Sequence, residues 1–590
     1  MKYWLLIGPL FLALWPLPVL ASSAPLPQPL QPGEDILISS GEIGADGGRL
    51  VASLRSEPKT LNPIVAVDLP SKEIIALFCG DLIHINLSTQ HTEPALAKSW
   101  EVSSDGRRYT LELRRGIRFS DGQLLDAEDV VFSFRVYLDE KVHSPQRDLL
   151  EVGGKPIQVS KLGPYEVAFE LPQPYAAAER LFDSVSILPR HLLERAYREG
   201  KISQAWGLSS SPGEIAGLGP YRSKQYTPGQ EIVLERNPYY WKADLQRRRL
   251  PYLDEIAFLI VPTEDAEVIR FQAGDTDVLE KVGANNYPVL EKGQRAGGYR
   301  LYDVGPGLEY DFMFFNLNDL NSKNLPEVRR KQDWFRRTEF RRAVSAAIDR
   351  QAIALLVYQG RATPIWNQVT PGNKLWINPA IPHPAPSVER AGELLREAGF
   401  TRRSDGTLID VKGIPVEFSI LTNPSNAQRT EIATMIQDDL SRLGMRVHVV
   451  PLEFQALMAR VFDSYDYEAC ILGLVSGDAD PNPEINVWTS GGGTHLWALS
   501  EIHPLTPWQT ELDRLMHLQT TILNYQRRKQ LYDRVQQIVA EYDPVICLVS
   551  PDVLAGAKDG IGGVQPAAMK YPLLWNADQL FWRTSGSKPR

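Results

Sequence analysis

DGRRYTLELRRGIRFSDGQLLDAEDVVFSF, residues 105–134, is the stretch whose reading decides the fold. Tyr109, Leu111 and Leu113 alternate with polar neighbours, the period of two expected of a strand with one buried face. Ser120, Asp121 and Gly122 then break the chain in a turn. Asp126 stands where a helix cap belongs, and Asp129 follows three residues later in the place of a capping-box Glu. Val130, Val131 and Phe134 supply the apolar face of that helix. A strand, a turn and a capped helix are predicted, a scaffold that carries no chemistry of its own.

The same grammar runs outward in both directions. Strands are predicted over 49–55, 165–171, 256–261, 310–318, 445–451, 466–475 and 545–550, and helices over 266–273, 387–400, 427–443 and most of 511–541. Alternation of the two implies an α/β architecture. With 590 residues and 43% hydrophobic content the chain can bury several cores, so two or three domains are expected. A net charge of -9 and a pI near 5.7 argue against nucleic acid as a partner. No internal repeat is present.

The first 21 residues read as a cleavable secretory signal: Lys2, an apolar run over 3–15, Pro16 and Pro18, then the small-residue site ending at Ala21, with a second cleavage choice after Ala24. The apolar run is shorter than the roughly 20 residues a membrane span needs. No cysteine follows the cleavage site to carry a lipid anchor, which predicts a free periplasmic protein. The proline-rich segment 22–33 reads as the start of an extended, unfolded tether over 22–47. Cys79, Cys470 and Cys547 each sit in an apolar run and are expected as buried thiols, with one disulfide left open. No zinc-type spacing, His-Glu-x-x-His, Gly-x-Ser-x-Gly or phosphate loop is found, so no metal, cofactor or catalytic residue is assigned.

Four motifs carry a resemblance. The opening stretch, EPKTLNP at 57–63, GLGPYRSKQYTPGQEIVLERNPYYW at 217–241 and FRRAVSAAIDRQAIALLVYQGRATP at 340–364 together resemble the peptide/nickel class of extracellular solute-binding proteins, the receptors that feed ABC importers. The opening stretch departs from that class's pattern only at single positions such as Leu111. The resemblance implies a two-lobed periplasmic binding protein fold of the large, three-domain peptide-binding type. Lobe 1 would be built from residues 48–85, 210–305 and 545–590, a subdomain over 86–209 would be inserted into it, and lobe 2 would span 306–544. Chain crossings near residues 304–308 and near Asp543 would form the hinge. The implied function is capture of a peptide between the lobes of a monomer, with delivery to an ABC permease and its ATPase and no bond made or broken. Nickel chelates, sugars or opines are alternative ligands on the same fold.

The candidate site is GLVSGDADPNPEINVWTSGGGTHLW, residues 473–497. Asp478 and Asp480 lie two apart, on one face if the chain is extended, and Pro481 biases Asp480 toward extended geometry. As a pair they suit a secreted hydrolase's acid and base; as turn residues they suit Asx-turns and a helix cap. The resemblance implies a third role, an Asp that pairs with a ligand's free α-amine; the loop is one residue shorter than the class pattern, which leaves the equivalent Asp open between Asp478 and Asp480, with Asp478 placed first. Ser476 and Gly477 are expected to offer backbone hydrogen bonds to an extended peptide. Trp488, Trp497 and Trp366 are expected either to line its pockets or to pack in the core, and Asn316, in the aromatic strand, completes the candidate set.

Overall fold

A computed structural model of the chain describes residues 24–583. The predicted signal segment, with its cleavage site after Ala21, lies outside the described residues. No helix among them is long and apolar enough to cross a membrane.

Two α/β lobes make up the fold. In lobe 1 a four-stranded sheet runs Tyr221–Thr227, Glu231–Arg236, Glu255–Ile260, Arg49–Leu54. The last pair is parallel, in register at Leu50 and Ile256. The opening stretch folds as its pattern dictates. Strand Arg108–Leu113 buries Tyr109, Leu111 and Leu113 on one face. Helix Ala127–Leu138 starts on the expected capping box, in which Asp126 accepts from the Glu128 N–H at 2.8 Å and Asp129 accepts from the Asp126 N–H at 3.1 Å. Phe134 packs edge-on against Phe169 of the neighbouring strand at 4.9 Å. This four-stranded antiparallel subdomain (Ala97–Val102, Arg108–Leu113, Glu166–Glu170, Gln158–Gly163) shares one continuous core with the lobe 1 sheet.

An eight-stranded sheet runs across both lobes, and in its lobe 2 part Glu309–Phe315 lies between Val545–Lys558 and Ala469–Val475, followed outward by Glu417–Thr422 and Arg446–Pro451. Phe315 stacks on Phe335 at 4.7 Å inside the second core. Cys79, Cys470 and Cys547 are buried and free.

Three expectations need revision. The segment 24–47 is not an unfolded tether: Leu37–Ile38 pairs in parallel with Lys242–Ala243, and the buried Arg249 guanidinium holds the Gln28 carbonyl at 2.8 Å and Glu34 at 2.7 Å. A buried guanidinium requires partners, and this segment supplies them. The stretch 511–541 is largely helical as expected, in two helices, Pro507–Gln519 and Tyr525–Tyr542. Thr520 and Thr521 turn their hydroxyls onto the carbonyls of His517 and Leu518, and Asn524 caps the second helix. The strand expected over 545–550 runs on to Lys558. Its first half pairs with Glu309–Phe315 and its second with Tyr299–Pro306, so it passes through both lobes and changes partner between Val549 and Asp552. The second crossing therefore lies several residues beyond Asp543, which instead caps helix Tyr525–Tyr542 in the left-handed region at φ 43°.

Candidate functional site

The lobes meet where three elements of lobe 1 face three of lobe 2. On lobe 1, the turn between strands Ile83–Ile85 and Thr92–Pro94 projects Gln90 in a left-handed conformation, φ 66°. Its side chain is wholly buried against lobe 2, donating to the Gly372 carbonyl at 2.7 Å and accepting from the Lys374 N–H at 2.9 Å. Gly372 has no room for a side chain: a Cβ there would sit 2.1 Å from the Pro306 carbonyl oxygen. Beside it the Ala176 N–H donates to the Thr520 carbonyl at 2.6 Å, and Tyr175 and Asn482 share a side-chain hydrogen bond.

The third contact involves the predicted loop. Strand Ala469–Val475 is buried at its start and emerges at Val475, 68% exposed. Its partner on one edge, Glu309–Phe315, runs its full length, whereas Glu417–Thr422 pairs on the other edge only at Ala469 and Cys470. The Ser476 N–H donates to the Leu308 carbonyl at 3.2 Å, tying the loop to the first interlobe crossing. Gly477 is exposed, and a Cβ there would meet nothing. Asp478 then reaches lobe 1 and forms an ion pair with Arg180, both side chains being mostly shielded at 16% and 14% exposure. Burial pushes the Asp478 carboxyl up, and the adjacent guanidinium pulls it back.

Asp480 faces the opposite way. Its two oxygens accept from Arg528 Nη1 and Nη2, each at 2.6 Å, and Oδ1 also accepts from the Asn482 N–H at 2.9 Å. Arg528 is further held by the Gln519 carbonyl and side chain and lies 4.8 Å from the Trp376 ring centre. The two aspartates, neighbours in sequence, thus serve different surfaces: one crosses between lobes, the other clips lobe 2 internally.

The aromatic candidates separate in the same way. Trp488 and Trp497 have no exposed surface and pack on each other at 5.4 Å, with His495 at 4.0 Å from Trp497. Burial lowers the His495 imidazole to about 4. Trp366 stacks on His383 at 4.4 Å and lines a cavity with Arg350, Gln351 and Pro384 that shares no residue with the Asp478 contacts. Asn316 is fully buried and donates to the carbonyls of Tyr465 and Tyr467 at 2.8 Å each. Arg180, Gln90, Tyr175 and Arg528 were not singled out from the sequence. Each is an ordinary polar residue in its local context, and only long-range packing gives it a partner.

Two features frame the site. Arg429 donates from Nε to the buried Asp311 at 2.9 Å and lies against Gly473 on the poorly paired edge. In lobe 1, Asp81, His84 and Asp183 converge within 4.8 Å, His84 Nδ1 lying 3.1 Å from Asp81 and 3.8 Å from Asp183. That ion pair braces the Gln90 hairpin against the segment carrying Arg180.

Comparison with known proteins adds to this geometry. The model for "Bacterial extracellular solute-binding proteins, family 5 Middle" matches residues 91–495. A "Probable ABC transporter-binding protein" of Deinococcus radiodurans is 27% identical over 528 residues, covering 86% of this chain and 87% of that one. The "Oligopeptide-binding protein AppA" of Bacillus subtilis is 25% identical over 513 residues, with 86% and 87% coverage. Among solved structures, the ABC transporter substrate binding protein CtaP of Listeria monocytogenes superposes with a TM-score of 0.74 at 22% identity, covering 91% of this chain and 99% of that one.

Proposed function

The chain belongs to the bacterial extracellular solute-binding proteins of family 5, and from that premise we propose that it captures a peptide or a related small solute between its lobes. The closed form then docks on an ABC permease with its ATPase and releases the guest unchanged. The observation that carries this reading is the lobe 2 loop that brings Asp478 across to lobe 1 beside a half-paired strand edge. Such an edge adds main-chain hydrogen bonds to an extended peptide without selecting its side chains. Closure is favoured by any guest that contacts both lobes.

In this reading the loop carrying Asp478 forms the lobe 2 side of the cleft, and the Ser476 and Gly477 backbone lies along the guest. Asp480, Trp488 and Trp497 form the shell that holds the loop in place, Asn316 ties down the turn before strand Ala469–Val475, and Trp366 belongs to a separate cavity. Lobe 1 is assembled from residues 48–85, 210–305 and the chain after about residue 550, the subdomain is 86–209, and lobe 2 starts at 306. The protein works as a monomer in the periplasm after loss of its leader. No bond is made or broken in this reading, and Asp478 and Asp480 do not act as an acid–base pair, because Arg528 engages both oxygens of Asp480.

Native mass spectrometry of the gently purified protein tests the reading. A co-purified peptide or small solute, released on denaturation with its mass unchanged, is the expected result. Steady turnover of a peptide substrate by the wild-type protein would overturn it.

A further inference from the structure

The cation seat on Asp478 is already taken, and the occupant comes from the chain itself. Arg180 Nη1 donates to Asp478 Oδ1. The guanidinium is fixed from its other end too, since Nη2 donates to the Gln90 carbonyl at 3.0 Å. Gln90 is in turn pinned to Gly372 and Lys374 of lobe 2. Arg180 is thus part of the interlobe clasp rather than a loose surface side chain.

Guanidinium does not give up its proton in proteins. A ligand ammonium approaching Asp478 therefore meets a like charge at close range, and displacing Arg180 would leave a shielded guanidinium without its counter-charge. We propose that Arg180 is a specificity-determining residue that fills the ammonium seat on Asp478, so that the peptides this protein takes present no free α-ammonium there. Their amino terminus is blocked, or the chain runs on past the site. This inference rests on the reading of the cleft as a peptide-capturing site and refines it. Recognition then falls on the main chain of the guest along the open edge of strand Ala469–Val475.

The probe is a randomised pentapeptide pool, made once with free and once with acetylated amino termini and mixed in equal amounts. Wild type, Arg180→Met and Arg180→Gln are each incubated with it, and retained peptides are identified by mass spectrometry. Wild type is expected to retain acetylated peptides at least as well as free ones, and both variants to shift the ratio about tenfold or more toward free amines, a free-energy difference of about 1.4 kcal/mol. Either variant suffices if the other fails to fold, which a circular-dichroism melt decides. Wild type enriched about tenfold in free amines, or folded variants with an unchanged ratio, overturns the role of Arg180 and leaves peptide capture standing. No peptide of either kind retained by any of the proteins overturns peptide capture itself, and this inference with it.

Discussion

Replacing Asp480 by Ala removes one partner of a buried, two-pronged ion pair whose side chains are only 5% and 6% exposed. Arg528 keeps its bonds to Gln519 and its place against Trp376, so it stays buried with an uncompensated charge. Breaking such a pair from one side costs about 3–5 kcal/mol. For a unit the size of lobe 2, each kcal/mol lowers Tm by about 2–4 °C, so the loss should come to about 6–20 °C. Arg528→Leu should cost about the same, whereas the double variant Asp480→Ala/Arg528→Leu should recover much of the loss, because replacing both partners by apolar groups is often close to neutral. Scanning calorimetry of the four proteins gives the coupling directly. Single variants that melt within 2 °C of wild type, or a double variant as destabilised as the two singles combined, would refute the assignment of Asp480 as an internal clip.

Other outcomes follow from the same contacts. Gln90→Ala deletes two buried interlobe hydrogen bonds, weakening closure by about 1–3 kcal/mol; small-angle scattering should show a more extended ligand-free protein, and superimposable profiles would count against the clasp. His495 is held neutral by burial at about 4. A lowered folded value means the unfolded chain binds more protons below its ordinary value of about 6.5, so this contribution is present above that pH and is lost as pH falls toward 4. Between pH 6.5 and 5 it should cost roughly 2 kcal/mol, and His495→Phe should remove that part of the acid sensitivity in denaturant titrations; an unchanged slope would contradict it. Arg249→Met releases the Gln28 carbonyl and Glu34, and hydrogen exchange over residues 24–38 should speed up while the lobe 2 core strands stay protected; uniform protection would show that the segment is held by other means.

Local chemistry was enough to place most elements. The capping box at Asp126 and Asp129, the alternation at Tyr109, Leu111 and Leu113, and the apolar run ending at Phe315 each depend on neighbours within a few residues, so their pattern survives in the bare sequence. The errors came where a distant partner overrode local preference. The segment 24–47 looks like a solvated polyproline stretch until Arg249 and strand Lys242–Ala243 are packed beside it. The strand from Val545 runs past its expected end at Ser550 because its continuation, Asp552 to Lys558, pairs with Tyr299–Pro306 of the other lobe.

The site divides in the same manner. Asp478 and Asp480 were legible as a pair of carboxylates in a loop, since residue type and spacing are local facts. Their division of labour was not, because it depends on Arg180 lying 298 positions before one and Arg528 lying 48 after the other. What the residue order by itself determined was the set of strands, caps and turns, each stabilised over a single turn or hairpin. What the tertiary structure alone decided was which charge meets which: a buried or half-buried ion is tolerated only with a counter-charge at contact distance, and contact distance is a property of the folded chain.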